Sequence, residues 1–166
     1  MSAPEASLAM AAETEPAIVR SLSTELPGVP FAVHGARTWV RMSVTALHWQ
    51  GDILQAVEVI TRLVDNGVRH GMPADVPRDE RRLVLSAAVT DTGELLIDVS
   101  DLNPAFRDFD EAVAGKKGRG LWHVARLGAR VIRFLPHEGA GKTVRAVLPP
   151  GPMLTELPPG PVSSDD

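Results

Sequence analysis

The spacing of apolar residues predicts two helices in the first half of the chain. Within residues 37–50, Val40, Val44 and Leu47 recur at helical intervals. A second helix is predicted to begin after Asp52, a favourable N-cap, and to end near Gly71. Its apolar stripe consists of Ile53, Val57, Ile60, Val64 and Val68.

The period of the pattern changes in the second half, where short runs rich in β-branched and aliphatic residues predict strands. The residues Asp91, Thr92 and Gly93 suit a tight hairpin turn between the first two runs. The predicted elements are strands at 83–90 and 94–100, a loop at 101–118, a helix at 120–128, and strands at 129–135 and 142–148. This order predicts an α+β protein, a two-layer α/β sandwich whose mixed, mostly antiparallel sheet carries its helices on one face.

Composition divides the chain into a core and two ends. Residues 1–28 are dominated by Ala, Glu, Ser, Thr and Pro, and residues 150–166 are rich in Pro and Gly, which disfavour regular backbone. We therefore expect a flexible N-terminal tail at 1–28, one folded domain at 29–149 and a C-terminal tail at 150–166.

Charge and cysteine content narrow the function classes. The 166 residues carry a net charge of −4 and no cysteine, which disfavours binding to a phosphate backbone and excludes disulfides and thiolate metal sites. No apolar stretch approaches the ~20 residues that span a bilayer, and the N-terminus lacks the pattern of a secretion signal. We expect a cytoplasmic protein that binds neither nucleic acid nor membranes.

Four short segments lie at the predicted ends of elements, where ligand contacts concentrate on rigid scaffolds. They are Asp65–Gly71 after the second helix, Ile97–Pro104 after a strand, Gly115–Leu121 before the third helix, and Gly139–Thr143 before the last strand. Each also has an ordinary interpretation. The first fits a solvated helix face with Glu58–Arg62 and Asp65–Arg69 pairs, the second a turn capped by Asp101, and the fourth a plain hairpin turn.

The third segment places glycines and basic residues before a helix. Such glycines let backbone N–H groups approach a phosphate, although the segment is neither a P-loop nor a dinucleotide-binding fingerprint.

In this order the four segments resemble the GHKL family of ATP-binding proteins, which includes histidine kinases, heat-shock chaperones, gyrase B and anti-sigma factor serine kinases. The segments DNGVRHG, VSDLNP, GRGLWHV and GKTVRAVLP are most similar to those of small anti-sigma-kinase-like regulators of actinobacteria. The resemblance covers residues 31–148. It implies the Bergerat ATP-binding fold, ATP and Mg²⁺ as ligands, and a protein partner such as a sigma factor or an anti-sigma antagonist. Relatives commonly form homodimers.

The resemblance also assigns roles to individual residues. It implies that Asn66 helps to hold Mg²⁺, that Asp101 accepts a hydrogen bond from the adenine amino group, and that Thr143 assists in holding adenine. Residues 102–117 match the mobile lid. The glycine segment beside the phosphates corresponds to Gly118, Arg119, Gly120 and Leu121.

One position departs from the family pattern. Kinase-type members carry a glutamate general base four residues before the Asn, and this chain has Arg62 there. An arginine does not accept a proton near neutral pH, so the sequence offers no catalytic residue at that place. We expect an ATP-binding regulator of transcription that binds a protein partner in a nucleotide-dependent way, with weak or absent kinase activity. Two alternatives stay open: an active protein serine/threonine kinase that uses another base, and an interaction module that does not depend on nucleotide.

Overall fold

The computed structural model describes residues 16–104, 120–134 and 141–151. Within these residues the chain forms five strands, three α-helices and one short 3₁₀ turn. The strands are β1 (Ile18–Pro27), β2 (Arg82–Thr90), β3 (Leu95–Asp101), β4 (Arg130–Phe134) and β5 (Lys142–Leu148). The helices are α1 (Ala32–Ala46), α2 (Ile53–His70) and α3 (Gly120–Arg126), and the 3₁₀ turn is Arg78–Glu80.

The strands form one antiparallel sheet in the order β1-β2-β3-β5-β4. Alternate residues of β2, β3 and β5 share a hydrophobic core with the three helices, which therefore cover the same face of the sheet. This arrangement confirms the predicted α+β class and the placement of helices on one face. No helix in the described part of the chain is long and apolar enough to cross a bilayer.

Asp52 caps the start of α2, as the sequence predicts. The Asp52 carboxylate accepts hydrogen bonds from the backbone N–H groups of Leu54 and Gln55, at 2.9 and 3.3 Å, and so satisfies two donors of the first turn. The buried face differs slightly from the predicted stripe, because Ile53 is 38% exposed. The helix instead buries Ala56, Val57, Val59, Ile60, Leu63, Val64 and Gly67.

The hairpin between β2 and β3 also forms at the predicted residues. Gly93 has a φ of 81°, a left-handed conformation that glycine adopts without a steric penalty. Its N–H donates to the Thr90 carbonyl at 3.0 Å, and the Thr90 N–H donates to the Glu94 carbonyl at 3.0 Å. This turn fixes the register that brings Asp101 to the far end of β3.

The N-terminal segment is a correction to the expected organisation. Residues 18–27, which we expected to belong to a flexible tail, form β1 and pair with β2 along its length. Arg20 Nε donates to the Leu47 carbonyl at 2.8 Å, and Leu26 packs against the core. The strand escaped detection because most of its side chains are exposed, so its apolar residues follow no clear period.

Removing β1 is expected to destabilise the fold. A chain that begins at residue 29 loses the pairing with β2 and the packing of Leu26, worth roughly 2 kcal/mol or more, or about 4–8 °C in melting temperature. A chain that begins at residue 16 keeps β1 and serves as the matched control. Thermal unfolding followed by circular dichroism measures the difference, and equal melting temperatures would contradict the role given to β1.

Candidate functional site

The end of β3 is tied to the end of α2 by hydrogen bonds that involve the backbone. The N–H of Leu102 donates to the Gly71 carbonyl at 3.1 Å. The side-chain amide of Asn103 donates to the His70 carbonyl at 3.1 Å. Asp101, the last residue of β3, therefore lies against the end of α2, so two of the sequence segments singled out above are neighbours in the structure.

Two glycines make this close approach sterically possible. A Cβ atom at position 71 would collide with Oδ2 of Asp101, and one at position 141 would collide with the Asp101 carbonyl oxygen. Residues larger than glycine would push the carboxylate or the strand out of place. The sequence marked Gly71 only as a helix end, and its contact with Asp101 becomes visible once the strand is placed.

The carboxylate of Asp101 forms an ion pair that is hidden from solvent. Lys142 Nζ lies 2.8 Å from Asp101 Oδ2, and the two side chains are 0% and 2% exposed, respectively. The same ammonium donates to the Asn103 carbonyl at 3.1 Å. In return, the Asn103 N–H donates to Asp101 Oδ1 at 3.0 Å. Lys142 thus fastens the start of β5 to the loop that leaves β3.

Burial and pairing act on Asp101 in opposite directions. Burial raises the pKa of Asp101 above its ordinary value of 3.8, and this outweighs the lowering by the Lys142 ammonium and by backbone N–H groups. A raised pKa means that the folded chain binds this proton more tightly than the unfolded chain does. The stability that this group contributes is therefore complete below pH 3.8 and is lost as the pH rises through the folded pKa. Lys142 limits that loss.

The register of β3 and β5 places Lys142, rather than Thr143, opposite Asp101. Asp101 pairs with Lys142, and Ser100 pairs with Thr143. Because successive side chains of a strand point to opposite faces, Thr143 lies on the face away from Asp101. Its hydroxyl is 2.7 Å from the Ser100 hydroxyl. The structure thus brings Lys142, and not the Thr143 side chain, to Asp101.

The last turns of α2 carry Asn66 and Arg62. Asn66 is half-buried beside Gly67, which faces the sheet. Within the described ranges, neither the Asn66 amide nor the Arg62 guanidinium has a hydrogen-bond partner. Of the two ion pairs expected on this helix, Asp65–Arg69 forms at 3.1 Å. Glu58 instead contacts Arg37 of α1 at 3.3 Å.

The glycine segment is described only in part. Gly118 and Arg119 lie outside the described residues, as do residues 105–117 of the expected lid and Gly139. Gly120 begins α3. Leu121 is 2% exposed and belongs to the hydrophobic core. The structure therefore gives Leu121 a packing role at the start of α3.

Comparison with known proteins gives a structural likeness. No family model matches the sequence, and no curated protein matches it. The fold is similar to the crystal structure of the RsbU and RsbW domains of Rv1364c from Mycobacterium tuberculosis, with a TM-score of 0.55 and 21% sequence identity. The match covers 79% of this chain and 32% of that one, so this chain spans about a third of its length. At this level of identity the likeness concerns the fold alone.

Substitution of Gly71 tests the packing of the site. Gly71→Ala should lower the free energy of unfolding by about 1–3 kcal/mol, because the added methyl group collides with the buried Asp101 carboxylate. Gly35→Ala in α1 is the matched control: its Cβ would lie 3.7 Å from Leu26, an ordinary contact. Gly35→Ala should raise the free energy of unfolding by about 0.5–1 kcal/mol, because alanine is more favourable than glycine within a helix. Urea unfolding of both variants decides the matter, and equal stability would argue against the close approach.

Proposed function

We propose that this chain is an ATP-binding regulatory protein of the anti-sigma factor type, with weak or absent kinase activity. The observation that carries the proposal is the buried carboxylate of Asp101, held against the end of the helix that bears Asn66. The fold likeness and the order of the sequence segments support the same family of functions.

The proposed role of Asp101 is to accept a hydrogen bond from the adenine amino group. A carboxylate shielded from water discriminates strongly between donors and acceptors, because a mismatched partner leaves a buried polar group unpaired. Guanine presents a carbonyl where adenine presents an amino group. A site built on Asp101 therefore favours adenine nucleotides.

The proposed role of Asn66 is to hold Mg²⁺ against the triphosphate. An amide oxygen is a hard ligand that suits Mg²⁺, which usually takes one or two protein ligands and completes its shell with water and phosphate oxygens. Asn66 would be one such protein ligand, and the phosphate oxygens and water would complete the shell. When bound, Mg²⁺ would neutralise charge on the phosphates.

Arg62 argues against efficient phosphoryl transfer. It occupies the helix position one turn before Asn66, and its guanidinium cannot remove a proton from an attacking hydroxyl. Asp65 is turned about 100° away from Asn66 and is paired with Arg69, so it is no substitute. Arg62 instead supplies a positive charge beside the proposed phosphate site. Nucleotide binding and catalysis are therefore expected to separate in this chain.

The proposed partner and biological role are taken from the resemblance to anti-sigma factor kinases. We propose a protein partner, such as a sigma factor or an anti-sigma antagonist, whose binding depends on nucleotide, and through it control of transcription in the cytoplasm. A homodimer, as in relatives, belongs to the same proposal.

A nucleotide-independent interaction module is the second candidate. It is favoured by the fact that Asp101 is only 2% exposed and already accepts hydrogen bonds from Lys142 and Asn103. An adenine base reaches this carboxylate only if the surrounding residues open. A direct titration with nucleotide separates the two candidates.

Two substitutions test the binding site. Calorimetric titration of the wild-type chain should show binding of Mg²⁺-ATP in preference to Mg²⁺-GTP. Asp101→Asn should reduce this preference by about tenfold or more, because an amide can turn either its oxygen or its NH₂ toward the base. Asn66→Ala should weaken Mg²⁺-ATP roughly two- to tenfold while leaving Mg²⁺-free ATP unchanged. Thr45→Ala, at an exposed position of α1, is the control, and unaltered affinities in both site variants would refute the assignment.

The Arg62 position tests the catalytic part of the proposal. Wild-type protein should bind ATP yet hydrolyse it very slowly, and Arg62→Glu should raise the rate by up to about 10²–10⁴ without tightening binding, because a base acts in the transition state. Arg41→Glu, the same charge change at an exposed position of α1, is the matched control. Rapid hydrolysis by the wild type that Arg62→Glu leaves unaltered would place the base elsewhere and favour the active kinase.

A further inference from the structure

The Asp101–Lys142 pair is unusual because it is fully buried at the place where a base is proposed to bind. Lys142 Nζ lies 2.8 Å from Asp101 Oδ2, and neither side chain has appreciable exposure. A buried ammonium or carboxylate is costly unless it is paired and hydrogen-bonded, so each group requires the other. The Asn103 carbonyl, at 3.1 Å, gives the ammonium a further acceptor.

The hydrogen bonds of Asp101 leave limited capacity for a ligand. A carboxylate offers roughly four lone-pair positions. Asp101 accepts from the Asn103 N–H and from Lys142 Nζ. These two donors leave acceptor capacity for a further N–H donor such as an exocyclic amino group.

The charge state of Asp101 depends on the ammonium. Without a nearby positive charge, the buried carboxyl group would take up a proton. A protonated carboxyl has one O–H donor and one carbonyl acceptor, so, like an amide, it can turn either group toward the base and no longer selects for an amino group. The selectivity of the site for an amino-bearing base thus requires both the charge and the position of Lys142.

We propose that Lys142 is the positioning residue for base recognition: it keeps Asp101 a carboxylate with a fixed orientation, so that the site selects purine nucleotides that carry a 6-amino group. This inference rests on the proposed nucleotide-binding function. The resemblance implied a part in holding adenine for the neighbouring Thr143, whose hydroxyl lies against Ser100 on the other face of the sheet.

The test compares two nucleotides that differ only in the amino group. ATP and purine riboside triphosphate share the sugar and the phosphates, so the ratio of their affinities isolates the contact with Asp101. The wild-type chain with Mg²⁺ should favour ATP by about ten- to a hundredfold, as expected for one hydrogen bond to a charged group. Lys142→Met, which keeps an unbranched side chain of similar length and removes its charge, should bring the ratio close to one.

The controls separate positioning from simple loss of structure. Arg145→Met removes a cation from the same strand, where Arg145 Nε is 2.8 Å from Asp98 Oδ1 on the opposite face. It should leave the nucleotide ratio unchanged. If thermal melting shows that Lys142→Met does not fold, Lys142→Gln decides the question, because it keeps a donor without the charge. The ratio of its affinities for ATP and purine riboside triphosphate should fall between the wild-type value and one.

The outcomes are distinguishable. A wild-type chain that binds neither nucleotide overturns the proposed function and this inference with it. A wild-type chain that discriminates, together with folded Lys142→Met or Lys142→Gln variants that discriminate equally well, overturns the inference alone. Tighter ATP binding by Lys142→Met with an unchanged ratio would also overturn it, since Lys142 would then be a competitor for the base site.

Discussion

The buried ion pair between Asp101 and Lys142 links the parts of the molecule that form the candidate site. It joins the end of β3 to the start of β5, and the adjoining loop bonds to the end of α2 through Asn103. Glycine at positions 71 and 141 leaves the space that these contacts need. If one partner were removed, the other would either stay charged without a counter-ion or change its protonation state inside the protein, and the loss of stability is expected to reach about 3–5 kcal/mol. The geometry of the site is therefore coupled to the stability of the fold.

Local signals predicted the elements whose determinants are local. Asp52 caps α2 and Gly93 supports the hairpin because each acts on atoms within a few residues of itself. β1 was missed because its stability comes from pairing with β2, a contact across more than fifty residues. The choice of Arg37 over Arg62 as the partner of Glu58 likewise depends on how α1 packs against α2. Such contacts become predictable only when the tertiary arrangement is known.

In the candidate site, too, the features set by local sequence were predicted and those set by tertiary contacts were not. Sequence identified Asp101 as a strand-end carboxylate and Asn66 as a polar residue near a helix end. It could not decide whether Lys142 or Thr143 shares a face with Asp101, because a shift of one residue in register reverses every side chain of a strand. The observed register answers this question. The sequence shows only that Lys142 is followed by Thr143, a β-branched polar residue, and either side chain suits a ligand site.

Stability alone does not account for the burial of Lys142. The β3–β5 register is already fixed by the alternation of apolar residues and by Arg145, whose Nε and Nη2 donate to the Asp98 carboxylate at 2.8 and 2.9 Å on the opposite face. A buried ion pair often contributes less to stability than well-packed apolar side chains of similar volume. A hydrophobic pair at positions 101 and 142 would therefore serve the sheet at least as well. What such a pair could not provide is a shielded carboxylate with an unused acceptor position, and that is the property on which selection of an amino-bearing base depends.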